Sequence, residues 1–328
     1  MMRKFFIIIL TILAVGAAWA QGGKSTFDYL LLPHSARSSA VGGVNLSVIE
    51  NDASLIYDNP AFLGYEMDKT LLVSYLSYIA DIGVGNVTFT KKLGDRSSIG
   101  VGALYANYGK MLETTVENIV VGDLNAIDVC GTVFFAHDIT SKLRGGITAK
   151  FLYSNYYHNT AIGLGVDLGL SYYSEASGFS WGLVGKNLGR QIKAYNEELY
   201  ALPWDIRLGV TQKFLHAPVR FSITAINLKQ WKFDDIYSQG DSFFKTAWKH
   251  LTLGVEFIPS DNFWVGVGYN VKRGSDMFLE NGGRLNGFSA GFGLRVIGFN
   301  ISCAIGKYNT SATSFMLSLA TSFTDKGL

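Results

Sequence analysis

Phe288-Ser289-Ala290-Gly291-Phe292-Gly293-Leu294-Arg295-Val296 alternates without a break. Phe288, Ala290, Phe292, Leu294 and Val296 fall on one face, and Ser289, Gly291, Gly293 and Arg295 on the other. The same dyad recurs at 162–170, 206–210 and 251–257, with Gly163, Gly165, Gly169, Gly209 and Gly254 opposite the apolar side chains. A period of two with a single apolar face marks strands covered on one side only. In a soluble sandwich the opposite faces carry many solvated charges. Here they carry Gly, Ser and Thr with an occasional charge, repeated for the length of the chain. That pattern predicts an all-β fold: an antiparallel transmembrane β-barrel with lipid outside and a small, polar lumen inside.

The bulk numbers agree. Of 328 residues 37 are Gly and 5 are Pro, and only 16% are charged, against about 25% in ordinary soluble domains. No internal stretch approaches the roughly 18–20 uninterrupted apolar residues of a spanning helix. The net charge of +2 is too small to argue for nucleic acid. Residues 1–20 read as a cleaved export signal: Arg3 and Lys4, an apolar run from Phe5 to Ala14, then Ala18-Trp19-Ala20 as the cleavage site. Residues 21–69 do not alternate and are too apolar for a disordered tail. They are expected to form a plug folded into the periplasmic end of a barrel spanning 70–328. Cys130 and Cys303 fall on opposite faces of the wall by parity and are expected to remain free thiols.

From residue 70 the pattern gives 14 strand candidates, an even number that puts both chain ends on one side. One set of connections is short (93–96, 138–141, 174–177, 215–216, 259–261 and Gly298). The alternate set is mostly longer (109–125, 155–158, 190–202, 231–248, 273–285 and 309–312). Short turns on a periplasmic rim and long loops on an exterior rim are the layout of an outer-membrane barrel, so the chain is expected in the outer membrane of a Gram-negative bacterium.

Chemical motifs are weak. Gly287-Phe288-Ser289-Ala290-Gly291 spells a nucleophile elbow, but the elbow needs a sharp strand-to-helix turn and here the alternation runs straight through. Gly23-Lys24-Ser25 lacks the first glycine of a phosphate loop. His34, His137, His158, His216 and His250 have no metal-ligand spacing. No enzyme, metal or cofactor is expected. By parity Asp128, Asp167, Lys186, Arg207, Lys213, Glu256 and Arg295 face the lumen. They read as either a polar conduit or, better, ion pairs that fasten the plug, because buried charges need partners. The loops at 190–204 and 231–248 offer Lys193, Tyr195, Tyr200, Trp231, Phe233, Tyr237, Phe243 and Phe244. Aromatics among charges mark protein interfaces, although Trp204, Trp231 and Trp248 near strand ends also suit a membrane-interface girdle.

Pro33-His34-Ser35-Ala36-Arg37-Ser38-Ser39-Ala40-Val41-Gly42-Gly43 and Asp52 to Leu63, with Asn59-Pro60-Ala61 at its centre, resemble the N-terminal region of the PorV/PorQ family. Tyr105 to Met111, Val184 to Gly189, Pro203 to Ile206, Gln230 to Asp234 and Asn262 to Asn270 extend the resemblance over the mature chain. The family belongs to the type IX secretion system and is related to the FadL long-chain fatty acid transporters, fourteen-stranded barrels with an N-terminal hatch. The resemblance implies a non-catalytic anchor for a surface protein of the PorZ kind, in an attachment complex with PorU and PorV that links exported proteins to lipopolysaccharide. The alternative is a FadL-type channel for a hydrophobic small molecule, which should show an apolar pocket and a kinked wall.

Overall fold

The computed structural model describes residues 25–114, 119–157, 159–233, 238, 240–276, 285–308 and 312–323. The strands are β1 (Thr70–Ser77), β2 (Gly83–Lys92), β3 (Ser97–Thr114), β4 (Val120–Asp138), β5 (Leu143–Tyr156), β6 (Asn159–Ser174) and β7 (Phe179–Lys193). They continue as β8 (Asp205–Lys213), β9 (Val219–Ala225), β10 (Leu251–Ser260), β11 (Phe263–Asn270), β12 (Phe288–Val296), β13 (Phe299–Gly306) and β14 (Ser314–Ser322). Each pairs antiparallel with its sequence neighbours, and β1 closes on β14 from Thr70 opposite Ser322 to Ser77 opposite Phe315. A closed barrel leaves no sheet edge to protect. The alternating apolar residues, such as Val73, Phe221, Val255 and Phe292, all project outward and stay exposed. No described helix is long and apolar enough to cross a membrane.

All 14 expected strands are present, and the two rims differ as anticipated. The main departure is at 109–125. Instead of forming a long loop, β3 and β4 continue past the barrel as a hairpin, leaving 115–119 between them. The alternation fades there because the register slips between Asn107 and Lys110, where Gly109 takes a φ of +74°. Such a bulge adds a residue to one strand and bends it.

The interior is where the structure departs furthest from expectation. Ser25 to Lys69 lies within the barrel and runs its full height rather than occupying one end. It starts at the long-loop rim, where Ser25 bridges Ala201 and the Thr26 amide donates to the Ala201 carbonyl at 3.3 Å. It passes through a 3-10 turn at Asp28–Leu31 and a helix at Ala36–Ala40, whose Ser35 cap accepts from the Ser38 amide. Further 3-10 turns follow at Ala53–Tyr57, Pro60–Phe62 and Tyr65–Met67. The segment ends at the short-turn rim, where Asp68 accepts from the Lys92 amide at 3.0 Å and Lys69 from the Phe323 amide at 3.1 Å.

This segment explains the glycine-rich face of the strands. A Cβ on Gly182 would collide with the Leu46 carbonyl, and one on Gly268 with the backbone of Val41 and Gly42. The wall is thus shaped to admit a folded chain, not to surround water. Nor is the lumen uniformly polar. In the long-loop half, Leu76, Val84, Leu104 and Leu152 pack on Phe27, Tyr29 and Leu30 of the hatch. In the short-turn half, Leu55, Ile56, Phe62, Leu63 and Met67 pack on Phe134 and Ala136.

Candidate functional site

Ion pairs join the hatch to the wall. Glu256 on β10 is 1% exposed and receives Arg37 of the hatch at 2.9 Å and Arg220 of β9 at 2.8 Å. Arg220 also reaches Glu50 at 2.6 Å. Asp167 on β6 accepts from Lys150 at 2.8 Å, Lys186 at 3.1 Å and the Asn187 amide at 2.7 Å, while Lys186 donates to the Tyr57 carbonyl. Asn59 accepts from the Ala61 amide at 3.0 Å, ahead of Pro60, and donates to the carbonyls of Leu46 and Leu170. The Asn59-Pro60-Ala61 corner therefore ties two parts of the hatch to β6. Burial also acts on hatch groups directly. It pushes His34 down to about 3, with Lys186 and Lys150 adding to the effect, and lifts Asp58 to about 7.

Parity located Asp128, Asp167, Lys186 and Glu256 on the inner face, and Arg207 lies there too, paired with Asp205 at 2.7 Å. Arg295 does not fasten the hatch: it is exposed and donates to Asn300 on the neighbouring strand at 2.8 Å. Sequence reasoning missed Arg37, Glu50, Lys150 and Arg220. Lys150 and Arg220 share parity with Leu152 and Ser222, and so were legible. Arg37 and Glu50 sit in a segment with no period to read. Ser289 is the second residue of β12, donating to the Ala40 carbonyl and accepting from the Gly42 amide, both at 3.0 Å. It is a hatch contact.

At the long-loop mouth of the lumen, Asp128 on β4 is fully buried and accepts from Tyr108 at 2.5 Å and Tyr156 at 2.9 Å. The rings of Tyr108 and Tyr156 meet edge to face at 5.6 Å, and Tyr195 stacks on Tyr156 at 5.1 Å. Beside them, at the β3 bulge, a pocket of about 260 Å³ is lined by Tyr108, Met111, Leu124, Asn125, Ala126, Tyr156 and Tyr157. Inward of this mouth is the apolar chamber filled by Phe27, Tyr29 and Leu30.

The expected loop residues separate into two groups. Tyr195 turns inward, donating to Ser154, and is no outer-surface residue. Lys193 ends β7 and donates to Thr160 at 2.5 Å, while Tyr200 donates to Glu198 at 2.5 Å. Trp231 packs on Phe243 and His250, and Phe233 on His250. Phe243 and Phe244 open a helix, Phe243–Lys249, and stay 66% and 83% exposed. Tyr237 and His158 lie outside the described residues, as does the expected signal 1–20. Among the described residues no group of His, Cys, Asp and Glu is arranged to hold a metal. Cys130 is buried, Cys303 half-buried, and both are free thiols.

No family model matches the chain, and no curated protein matches it. Solved structures do. The Pseudomonas putida toluene transporter TodX superposes with a TM-score of 0.53 at 16% identity, covering 90% of this chain and 98% of its own. The Ralstonia pickettii toluene transporter TbuX gives 0.55 at 13%, covering 90% and 100%. A FadL homologue from Pseudomonas aeruginosa gives 0.52 at 12%, covering 89% and 98%. The fold is the FadL-like fourteen-stranded outer-membrane barrel. At these identities the likeness concerns fold alone.

Proposed function

We propose that this chain is a non-catalytic outer-membrane barrel that takes up a hydrophobic small molecule from its long-loop side. The observation that carries this reading is the apolar half of the lumen. A water-filled barrel lines its interior with polar groups, whereas here Leu76, Val84, Leu104 and Leu152 surround a chamber that faces the mouth. The hatch side chains Phe27, Tyr29 and Leu30 occupy it, so a solute enters as they withdraw. The bulge in β3 and the adjoining apolar pocket fit the kinked wall and pocket that such a channel requires. The toluene transporters that share the fold add support. Signal cleavage after Ala20 and long loops facing the cell exterior belong to the same proposal. The test is toluene entry into cells with and without the protein. Entry should be faster with it, and faster still for Phe27→Ala with Leu30→Ala. Equal entry in all of these cells would sink the reading.

A second reading keeps the barrel but makes it an anchor for a surface protein, as the resemblance to the type IX secretion family implies. Its specific support is the exposed pair Phe243 and Phe244 on the long-loop rim. In that reading PorZ-like, PorU-like and PorV-like proteins are the partners, lipopolysaccharide is the attachment target, and the filled lumen is permanent. A pull-down of the native complex from outer membranes separates the two.

A further inference from the structure

The mouth pocket carries information about the charge of what it admits, and the inference rests on the small-molecule reading above. Its walls are the rings of Tyr108, Tyr156 and Tyr157 with Met111, Leu124 and Ala126, the Asn125 amide is the one other polar side chain among them, and among the described lining residues none is cationic. The acidic group behind it is the Asp128 side chain. Asp128 is buried on the lumen face of β4 and accepts the phenol protons of both Tyr108 and Tyr156. Both phenols donate away from the pocket toward that carboxylate, so neither is free to donate to an incoming anion. Phenols bonded to a carboxylate are also more electron-rich, which makes their ring faces still less suited to negative charge. A fatty acid or an aromatic acid would thus bring its carboxylate to a site that offers no counter-charge and has an acidic side chain as its neighbour. The volume sets the other bound. An apolar cavity of roughly 150 Å³ accommodates benzene, so about 260 Å³ suits one or two fused rings.

We propose that the mouth pocket between β3, β4 and β5 selects uncharged one- or two-ring aromatics and turns away their carboxylate analogues, with Asp128 as the positioning residue that sets this preference. It holds Tyr108 and Tyr156 in place and directs their donors inward. The contrast with a fatty-acid carrier is chemical: a carboxylate ligand calls for an Arg or Lys at the head of the site.

The experiment uses the full chain in lipid nanodiscs, with fluorotoluene and fluorobenzoate followed by fluorine NMR and empty nanodiscs as the blank. Fluorotoluene should shift saturably and bind about tenfold or more tighter than fluorobenzoate, a gap of at least ~1.4 kcal/mol. Asp128→Asn should narrow that gap chiefly by improving fluorobenzoate. Because a buried substitution can impair folding, Met111→Trp provides a second variant at an exposed position. It should fill the pocket and abolish the fluorotoluene shift while heat-modifiable gel migration stays native. Fluorobenzoate binding as tightly as fluorotoluene, or a gap untouched by Asp128→Asn in a folded barrel, overturns the inference and leaves the small-molecule reading standing. A fluorotoluene shift that survives Met111→Trp overturns the location. Absence of any saturable fluorotoluene shift overturns both this inference and the function on which it rests.

Discussion

Glu256 shows how one side chain on the wall fixes the hatch. It is buried and accepts from two guanidinium groups, Arg37 on the hatch and Arg220 on β9. The three charges are tolerable inside only as a set, because each desolvated ion is matched by a bonded opposite. Glu256→Gln removes the negative charge and leaves two buried cations sharing Glu50 and Asp52, which approach Arg37 no closer than 3.8 Å. Breaking a buried pair on one side typically costs about 3–5 kcal/mol, so the hatch should loosen while the barrel, held by its closed ladder, persists. Trypsin cleavage at Arg37 in the folded barrel is the measurement, and unchanged protection would mean that Glu50 and Asp52 suffice. Gly268→Ala tests the same docking by shape. Its methyl group would meet the backbone at Val41 and Gly42, and overpacking of this kind costs about 1–3 kcal/mol. The hatch of that variant should also become protease-sensitive.

At the scale of elements, the strands were legible, as was the presence of a plug, while the path and contacts of the hatch were not. Alternation over Phe288 to Val296 and its repeats located every strand, because lipid outside and a packed interior impose a period of two. It failed at β3 beyond Asn107, where the bulge shifts the faces by one residue. It had nothing to read in Ser25 to Lys69, whose short turns have no period, so neither the traverse of the lumen nor the role of Arg37 could be inferred. The glycines were visible, but their purpose was not, since the chain they accommodate lies more than a hundred residues away, as Leu46 does from Gly182. The hatch also carries two buried groups that titrate in opposite senses. His34 is held down at about 3 by burial, so its contribution to docking is complete above its ordinary 6.5 and is lost as pH falls toward 3. Asp58 is raised to about 7 by burial, so its contribution is complete below its ordinary 3.8 and is lost as pH rises through 7. His34→Gln removes the first and leaves the second. Hatch protection in that variant should increase steadily from about pH 8 to about pH 5, while the native chain stays flatter. The reverse slope would refute the assignment. The helix Phe243–Lys249 yields a separate expectation. Phe243→Ser with Phe244→Ser removes mainly exposed surface, so heat-modifiable migration should not change. Release of a surface protein by this variant would favour the anchor reading, and its retention would favour the small-molecule reading.

For the whole molecule, the decisive property is that the barrel has a core. Both ends of the closed sheet, Thr70 and Ser322, lie on the short-turn rim, yet Ser25 sits beside Ala201 on the opposite rim. One segment therefore passes through the entire lumen. Along the way its side chains join three apolar clusters with the wall, and its charges meet those of β9 and β10. Ions crossing the membrane through this barrel would have to cross packed Leu, Ile and Phe side chains, where charge is strongly disfavoured. The intact protein in planar bilayers should show no steady current. The wall itself is closed by hydrogen bonds between neighbouring strands, independent of the hatch. Deleting 25–69 while keeping the export signal should leave a barrel that still migrates as a folded species and conducts through the vacated lumen. Transient opening on addition of toluene, reversed by its removal, is expected if the hatch withdraws to admit a solute. A large, steady current from the intact chain would show that the hatch does not seal the lumen, and with it the account of the strand glycines as a mould for the hatch would fail.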